Sequence, residues 1–121
     1  MKVAVTAAGA GLESEVDPRF GRARYILIVD LDSGGLLEAL DNEKNMNAVG
    51  GAGVQATQAV ADKGVAWLIT GNVGPKAFQG LRAAGIKVAT GAEGRVAEAL
   101  EAFKEGKLRE ATGADVEGHR G

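Results

Sequence analysis

The chain of 121 residues contains no cysteine and only one histidine. The absence of cysteine excludes disulfides, thiolate-bound zinc and iron–sulfur clusters held by protein thiolates. The single histidine, His119, lies in "EGHRG" near the last residue, where it is a candidate metal ligand or a solvated side chain. Met46 is a candidate soft ligand, with the alternative that it is an ordinary loop methionine.

The sequence also lacks a charge excess and a long apolar run. Lysine and arginine number 14 against 16 acidic residues, which is unlike the basic surface of a nucleic-acid-binding protein. No stretch approaches the roughly 20 apolar residues of a membrane span. The beginning, "MKVAVTAAGAGLE", has no signal-peptide pattern. We therefore expect a cytoplasmic protein that binds neither nucleic acid nor membrane.

Apolar runs alternate with helical patterns and predict one α/β domain. The second half alternates strand and helix, which favours parallel strands, and a hairpin before it adds one antiparallel strand. We expect a mixed five-stranded sheet with helices on both faces, over residues 1–108. Residues 109–121 are predicted to form a partly ordered tail. The predicted strands are 2–6, 25–31, 36–42, 65–70 and 86–90, and the predicted helices are 54–63, 95–105 and one that begins near Pro75.

The first of these helices also has a predicted buried side. Its pattern places four residues toward the core: Val54, Ala56, Ala59 and Val60.

Glycine-rich turns stand next to several of these elements. "VGGAG" contains Gly50, Gly51 and Gly53 just before a predicted helix, and "GNVGP" follows a predicted strand. Backbone N–H groups in such turns bind anions. No lysine follows as in a P-loop, and "GAGLES" matches the dinucleotide fingerprint only in part. The alternative is that these glycines serve tight turns and close packing alone.

The segment "DPRFGRARY" concentrates cationic side chains. Arg19, Arg22 and Arg24 lie within six positions, close to Asp17. Guanidinium groups can present paired donors to an anion. The alternative is a solvated loop in which Asp17 pairs with one arginine.

Catalytic constellations are missing from the sequence. A histidine-based serine triad would depend on His119 at the end of the chain. A two-metal nuclease needs several carboxylates, and the first strand, "KVAVT", has none. We therefore expect no enzymatic activity.

Four motifs together resemble those of the dinitrogenase iron–molybdenum cofactor-binding family. They are "DPRFGRARYILIVD", "GGAGVQATQAVADKGVAWLITGNVGPKAF", "LRAAGIKV" and "EALEAFKEGKLREAT". The family includes NifX, NafY and the C-terminal domain of NifB. The chain is most similar to its small stand-alone members, such as the orange protein of sulfate-reducing bacteria. The resemblance extends from Lys2 to about Thr112.

The resemblance implies a three-layer α/β/α fold of the ribonuclease H type and a preformed, anionic metal–sulfur cluster as ligand. In the nitrogenase branch this is the iron–molybdenum cofactor or a precursor, and in the orange-protein branch a molybdenum–copper sulfide, which we favour here. A cluster that carries its own sulfide needs no protein cysteine. Ala8–Leu12 is expected to form a wall, and Asn72 also to cap the helix that begins near Pro75. The expected donors are Arg19, Arg22, Arg24, Gly50, Gly51, Gly53, Gly71, Asn72 and Gly74.

Three functions follow from these observations. The first is a non-enzymatic carrier or assembly scaffold that holds a molybdenum-containing metal–sulfide cluster without covalent attachment. The second is a protein-interaction module without a cluster. The third is an enzyme that acts on a small phosphorylated metabolite, for which the sequence offers no base. An unidentified protein partner is compatible with the first two.

Overall fold

Two apolar runs form the centre of the sheet. The structure, a computed structural model, describes residues 1–46 and 52–112. Strands β1 (Lys2–Ala7) and β2 (Tyr25–Asp30) are antiparallel and are buried on both faces, as their near-continuous apolar sequences predict. Strand β3 (Gly35–Asp41) returns along β2 after a turn in which Gly34 adopts a φ of 77°. The predicted hairpin is confirmed.

The second half of the chain adds strands on the other side of β1. Strands β4 (Trp67–Ile69) and β5 (Lys87–Thr90) run parallel to β1, and β6 (Arg109–Glu110) runs antiparallel to β5. The sheet order is β3-β2-β1-β4-β5-β6. The mixed α/β sheet is confirmed, but it has six strands where the sequence predicted five. The sixth lies just beyond residue 108, where we expected only a tail.

The described residues include four helices beside the sheet. Helix α1 (Glu43–Met46) is a single turn where a loop was predicted, and α2 is Ala52–Ala61. Helix α3 (Pro75–Ala83) begins at proline, whose φ suits a first turn. Helix α4 (Val96–Lys104) begins where the Glu98 carboxylate accepts the Arg95 N–H at 2.8 Å. No helix in the described ranges is both long and apolar enough to span a membrane.

Side chains that alternate along the strands divide the core into two layers. Ala4, Ile28 and Leu68 pack with α2 and α3, whereas Val3 and Ile69 pack with α4. This is the predicted three-layer α/β/α arrangement. The prediction that Val54 faces inward is wrong, because its side chain is 61% exposed, whereas Ala56 and Val60 are buried. The small residues of α2 do not define the helix face sharply enough to fix its rotation.

The carboxyl ends of β1, β4 and β5 meet at one edge of the sheet, which we call the carboxyl edge. From this edge β4 leads into α3 on one face, and β5 leads into α4 on the other. Neighbouring strands whose connections leave on opposite faces open a crevice at their carboxyl ends. The fold therefore places the candidate site here.

Candidate functional site

Residues 17–24, which we call the arginine loop, cross the carboxyl edge. The Asp17 N–H donates to the Thr6 carbonyl at 3.0 Å, and the Asn72 N–H donates to the Pro18 carbonyl at 2.8 Å. A parallel bridge joins Arg19 to Asn72. The loop is therefore tied by backbone hydrogen bonds to the ends of both β1 and β4.

Gly71 permits this crossing because it has no side chain. A Cβ atom placed on Gly71 would lie 2.6 Å from the Pro18 Cα and 2.8 Å from its carbonyl oxygen. Both are backbone atoms, which cannot move aside as a flexible side chain can. Gly71 thus serves close packing of the loop, which is one of the two roles considered for the glycine turns.

Arg19 projects from the arginine loop into solvent. Its side chain is 62% exposed, and its Nε lies 3.6 Å from Oδ1 of Asp17, whose side chain is only 12% exposed. The same Oδ1 accepts the Arg19 N–H at 3.0 Å. Within residues 1–46 and 52–112, Arg19 makes no other ion pair. The planar guanidinium therefore keeps outward donors for an anion.

Arg22 and Arg24 differ in their surroundings. Arg22 is exposed on the arginine loop. Arg24 forms a hydrogen-bonded ion pair with Asp41, lies 3.7 Å from a Glu43 carboxylate oxygen, and stacks 4.5 Å above the Tyr25 ring. The Glu43 N–H, which hydrogen-bonds Asp41, and the Arg24 cation lower the pKa of the Asp41 carboxyl, against a smaller opposing effect of burial. Two carboxylates thus already balance the charge of Arg24.

Gly53, Gly74 and Asn72 lie in three different structural settings. A Cβ on Gly53, in the first turn of α2, would lie 3.1 Å from that of Ala77 in α3, so Gly53 lets these helices approach closely. Gly74 is the N-cap of α3 and is open to solvent. The prediction that Asn72 caps this helix is wrong, because no side chain caps it, and the Asn72 N–H is engaged by Pro18.

Three predicted residues cannot be placed. Gly50, Gly51 and His119 lie outside the described residues. Met46 is the last residue of α1, and its role as a ligand stays a prediction. The predicted wall at Ala8–Leu12 is part of the connection from β1, and the Ala97 N–H donates to the Leu12 carbonyl at 3.0 Å.

Sequence reasoning missed the polar side chains beneath the arginine loop. Thr6, Asn42 and Thr70 are buried, and each hydrogen-bonds the loop or a residue that does. The Thr6 and Thr70 hydroxyl oxygens lie 2.8 Å apart although 64 positions separate them in the chain. Only a threonine at the end of each of two predicted parallel strands could have indicated this pair.

The donor chemistry of this edge suits an anion that brings its own metal ligands. Among the described residues, no group of three or more histidine, cysteine, aspartate or glutamate side chains could hold a bare metal ion. What the edge offers is guanidinium groups and the uncapped first turn of α3, both of which favour negative charge. The residues present therefore fit a sulfide-rich anionic cluster better than a free cation.

Comparison with known proteins identifies several that are similar to this chain. A protein of Methanocaldococcus jannaschii, described only as uncharacterized, is 31% identical over 97 residues, which cover 78% of this chain and 81% of that protein. The apo form of the orange protein from Desulfovibrio gigas is 46% identical, with a TM-score of 0.87 and 93% of each chain covered. A candidate NifB protein from Thermotoga is 42% identical, with a TM-score of 0.78 and coverage of 90% and 91%.

The family model for the dinitrogenase iron–molybdenum cofactor matches residues 1–106, which is nearly all of the described chain. Its match includes the arginine loop, Gly71 and Asn72. The fold matches these two structures over 93% and 91% of their lengths. The chain belongs to the dinitrogenase iron–molybdenum cofactor family.

Proposed function

We propose that this protein binds and carries a preformed, anionic, molybdenum-containing metal–sulfide cluster at the carboxyl edge, without enzymatic turnover. The observation that carries the proposal is the exposed Arg19, held on Asn72 at that edge by backbone hydrogen bonds. Family membership supports a cluster as the cargo. The cluster supplies its own metal–sulfur bonds, so the protein needs only to bind, orient and shield it.

The proposed donors would bind the cluster through positive charge and through hydrogen bonds directed at it. Arg19 and Arg22 project from the arginine loop, and Gly74 leaves the first turn of α3 open to solvent. Charge-assisted hydrogen bonds from guanidinium groups are about twice as strong as neutral ones. We assign Arg24 a smaller share, because Asp41 and Glu43 already neutralise it. Gly50 and Gly51, which lie outside the described residues, remain proposed donors.

The metal composition is part of the proposal. The 46% identity to the orange protein supports the branch for which we expected a molybdenum–copper sulfide. A cluster like the iron–molybdenum cofactor is the alternative, and the 42% identity to the Thermotoga protein supports it. Copper and iron must therefore be tested side by side.

The test is loading of the apo-protein. Protein mixed anaerobically with tetrathiomolybdate and copper(I), or with tetrathiomolybdate and iron(II), is passed through a desalting column and analysed for molybdenum. The wild type should retain molybdenum and charge-transfer absorption. Arg19→Glu with Arg22→Glu should lose at least about tenfold in affinity, since two charge-assisted contacts are reversed in sign.

A matched control variant separates the effect of charge at the arginine loop from the effect of the protein's net charge. Arg82→Glu with Lys107→Glu makes the same change in net charge, but Arg82 lies in the last turn of α3 and Lys107 follows the end of α4, both away from the carboxyl edge. This control should retain the cluster as the wild type does. Equal loss in both double variants, or normal retention in the first, would remove the arginine loop from the site.

A second function is favoured by the outer surface of α2 and α3. Val54 is 61% exposed and lines a groove of about 350 Å³ with Thr57, Lys76 and Gly80. Contiguous exposed apolar patches mark protein-binding surfaces, and in this groove Ala61, Ala83 and Ala84 join Val54. A protein that takes up neither metal mixture would favour this interaction-module function.

A further inference from the structure

The buried polar side chains of the described residues all serve one segment. Among residues 1–44 and 53–112, the polar side chains that are buried are Thr6, Asn42 and Thr70, with exposures of 0%, 3% and 0%. Thr6 and Thr70 meet one end of the arginine loop, at Asp17. Asn42 meets its other end, where Nδ2 donates to the Gly21 and Ala23 carbonyls at 3.2 Å and 2.8 Å.

The hydroxyl pair has a fixed direction. The Thr6 hydroxyl donates to the Asp17 carbonyl at 2.6 Å, which uses its only proton. The Thr70 hydroxyl, 2.8 Å away, must therefore donate to Thr6. This two-step chain joins β4, β1 and the loop, so the loop position depends on both strands.

Stability alone does not account for these residues. A buried polar group gives up its hydrogen bonds with water, and a hydrogen-bonded replacement contributes only a modest net gain. Valine would fill the space of threonine without that cost. Buried polar networks that are fully satisfied restrict a segment to one conformation, and here they restrict the segment that carries Arg19 and Arg22.

We propose that Thr6, Thr70 and Asn42 are positioning residues that hold the arginine loop in its binding geometry before cargo arrives. The inference rests on the proposed function for the identity of the cargo. A loop ordered in advance loses less conformational entropy on binding, which raises affinity. These hydrogen bonds hold the loop at Asp17 and at Gly21 and Ala23, so the backbone that carries Arg19 and Arg22 is positioned without the cluster.

Limited digestion of the native protein with trypsin tests the positioning directly. Mass spectrometry counts fragments that end at Arg19 or Arg22. When cleavage is slow relative to closing, its rate follows the open population. Thr70→Val and Asn42→Ala should each accelerate these cleavages about fivefold, the effect of losing about one net hydrogen bond. Thr70→Ser keeps the hydroxyl and should digest as the wild type does.

Internal references separate loop opening from unfolding of the whole domain. Cleavage after Lys76 and Arg82 in α3 reports global opening and should change less than cleavage in the loop. Thr57→Val removes a hydroxyl that bonds only within α2, to the Gly53 carbonyl at 2.7 Å, and should leave loop cleavage unchanged. Unchanged loop cleavage in Thr70→Val and Asn42→Ala, or equal acceleration at all sites, would overturn the proposal.

A separate measurement tests whether the position of the arginine loop affects binding of the cargo. Tetrathiomolybdate with copper(I) should protect the loop of the wild type and of both variants, and higher cargo concentrations should be needed in the variants. Cargo that binds but leaves loop cleavage unprotected would overturn the inference. A wild type that takes up no molybdenum would contradict the proposed function, and the cleavage rates would still decide whether these residues position the loop.

Discussion

At Gly71 the backbone of the β4–α3 connection touches the backbone of the arginine loop. The contact distances given above leave no space for a methyl group beside Pro18. The hydrogen bond from the Asn72 N–H to the Pro18 carbonyl depends on the same approach. One missing side chain therefore brings the loop that carries Arg19 against the end of β4.

Gly71→Ala should destabilise the protein by about 1–3 kcal/mol, because the added methyl forces two backbone segments apart. Urea unfolding followed by the fluorescence of Trp67, the only tryptophan, measures the free energy of unfolding. Gly11→Ala is the control, since a Cβ there meets nothing within 4 Å and φ is not positive. A Gly71→Ala protein as stable as the control would contradict the close approach.

The ion pair of Arg24 with Asp41 leads to a prediction about how the stability of the protein depends on pH. The Glu43 N–H, and after it Arg24, lower the pKa of Asp41 in the folded protein. The charged Asp41 therefore stabilises the fold above the ordinary aspartate pKa of about 4, and the part contributed by Arg24 is lost as pH falls through the lower folded value. Arg24→Gln should therefore be less stable than the wild type at pH 6, and the difference should shrink toward pH 2.5.

Urea titrations of both proteins at several pH values measure this difference. Asp41 is exposed and Arg24 is half-buried near the surface, so the effect at pH 6 should be modest and should weaken in high salt. Cluster retention should change little in Arg24→Gln, in contrast to the Arg19 and Arg22 variant. A stability difference that grows toward low pH would contradict the assigned ion pair.

The elements show which features the sequence can encode locally. The apolar runs of β1 and β2 predicted strands, and in the structure both strands are buried on both faces. Pro75 marked the start of α3 for a similarly local reason. Arg109–Glu110 has no such signal, because a two-residue strand is too short for a period and is set by its pairing with β5.

Some parts of the candidate site could also be predicted from the sequence and others could not. Its arginines were visible in "DPRFGRARY", since the charges are close together in sequence. The supports of the loop were not visible, because Thr6, Thr70 and Asn42 reach it only after distant strands have paired. Asn72 was expected to cap α3, but its backbone pairs with the loop instead, so tertiary hydrogen bonding overrides a local preference.

The whole molecule combines a sheet edge held by two core layers with a loop that carries exposed arginines. Two core layers hold β1, β4 and β5 in register, and their carboxyl ends set the base of the site. Helices that begin at this edge direct the positive ends of their dipoles toward it. A fold of this kind can bind a preformed anion without supplying a metal ligand from cysteine.

The central claim is that the protein carries a molybdenum-containing metal–sulfide cluster. The most direct measurement is the visible absorption spectrum, with elemental analysis, of the protein purified anaerobically from its native host. We expect charge-transfer bands that co-elute with the protein and with stoichiometric molybdenum and sulfide, and the identity of the second metal will distinguish copper from iron. A colourless protein without molybdenum, which also takes up none when the thiometallates are added, would contradict the central claim.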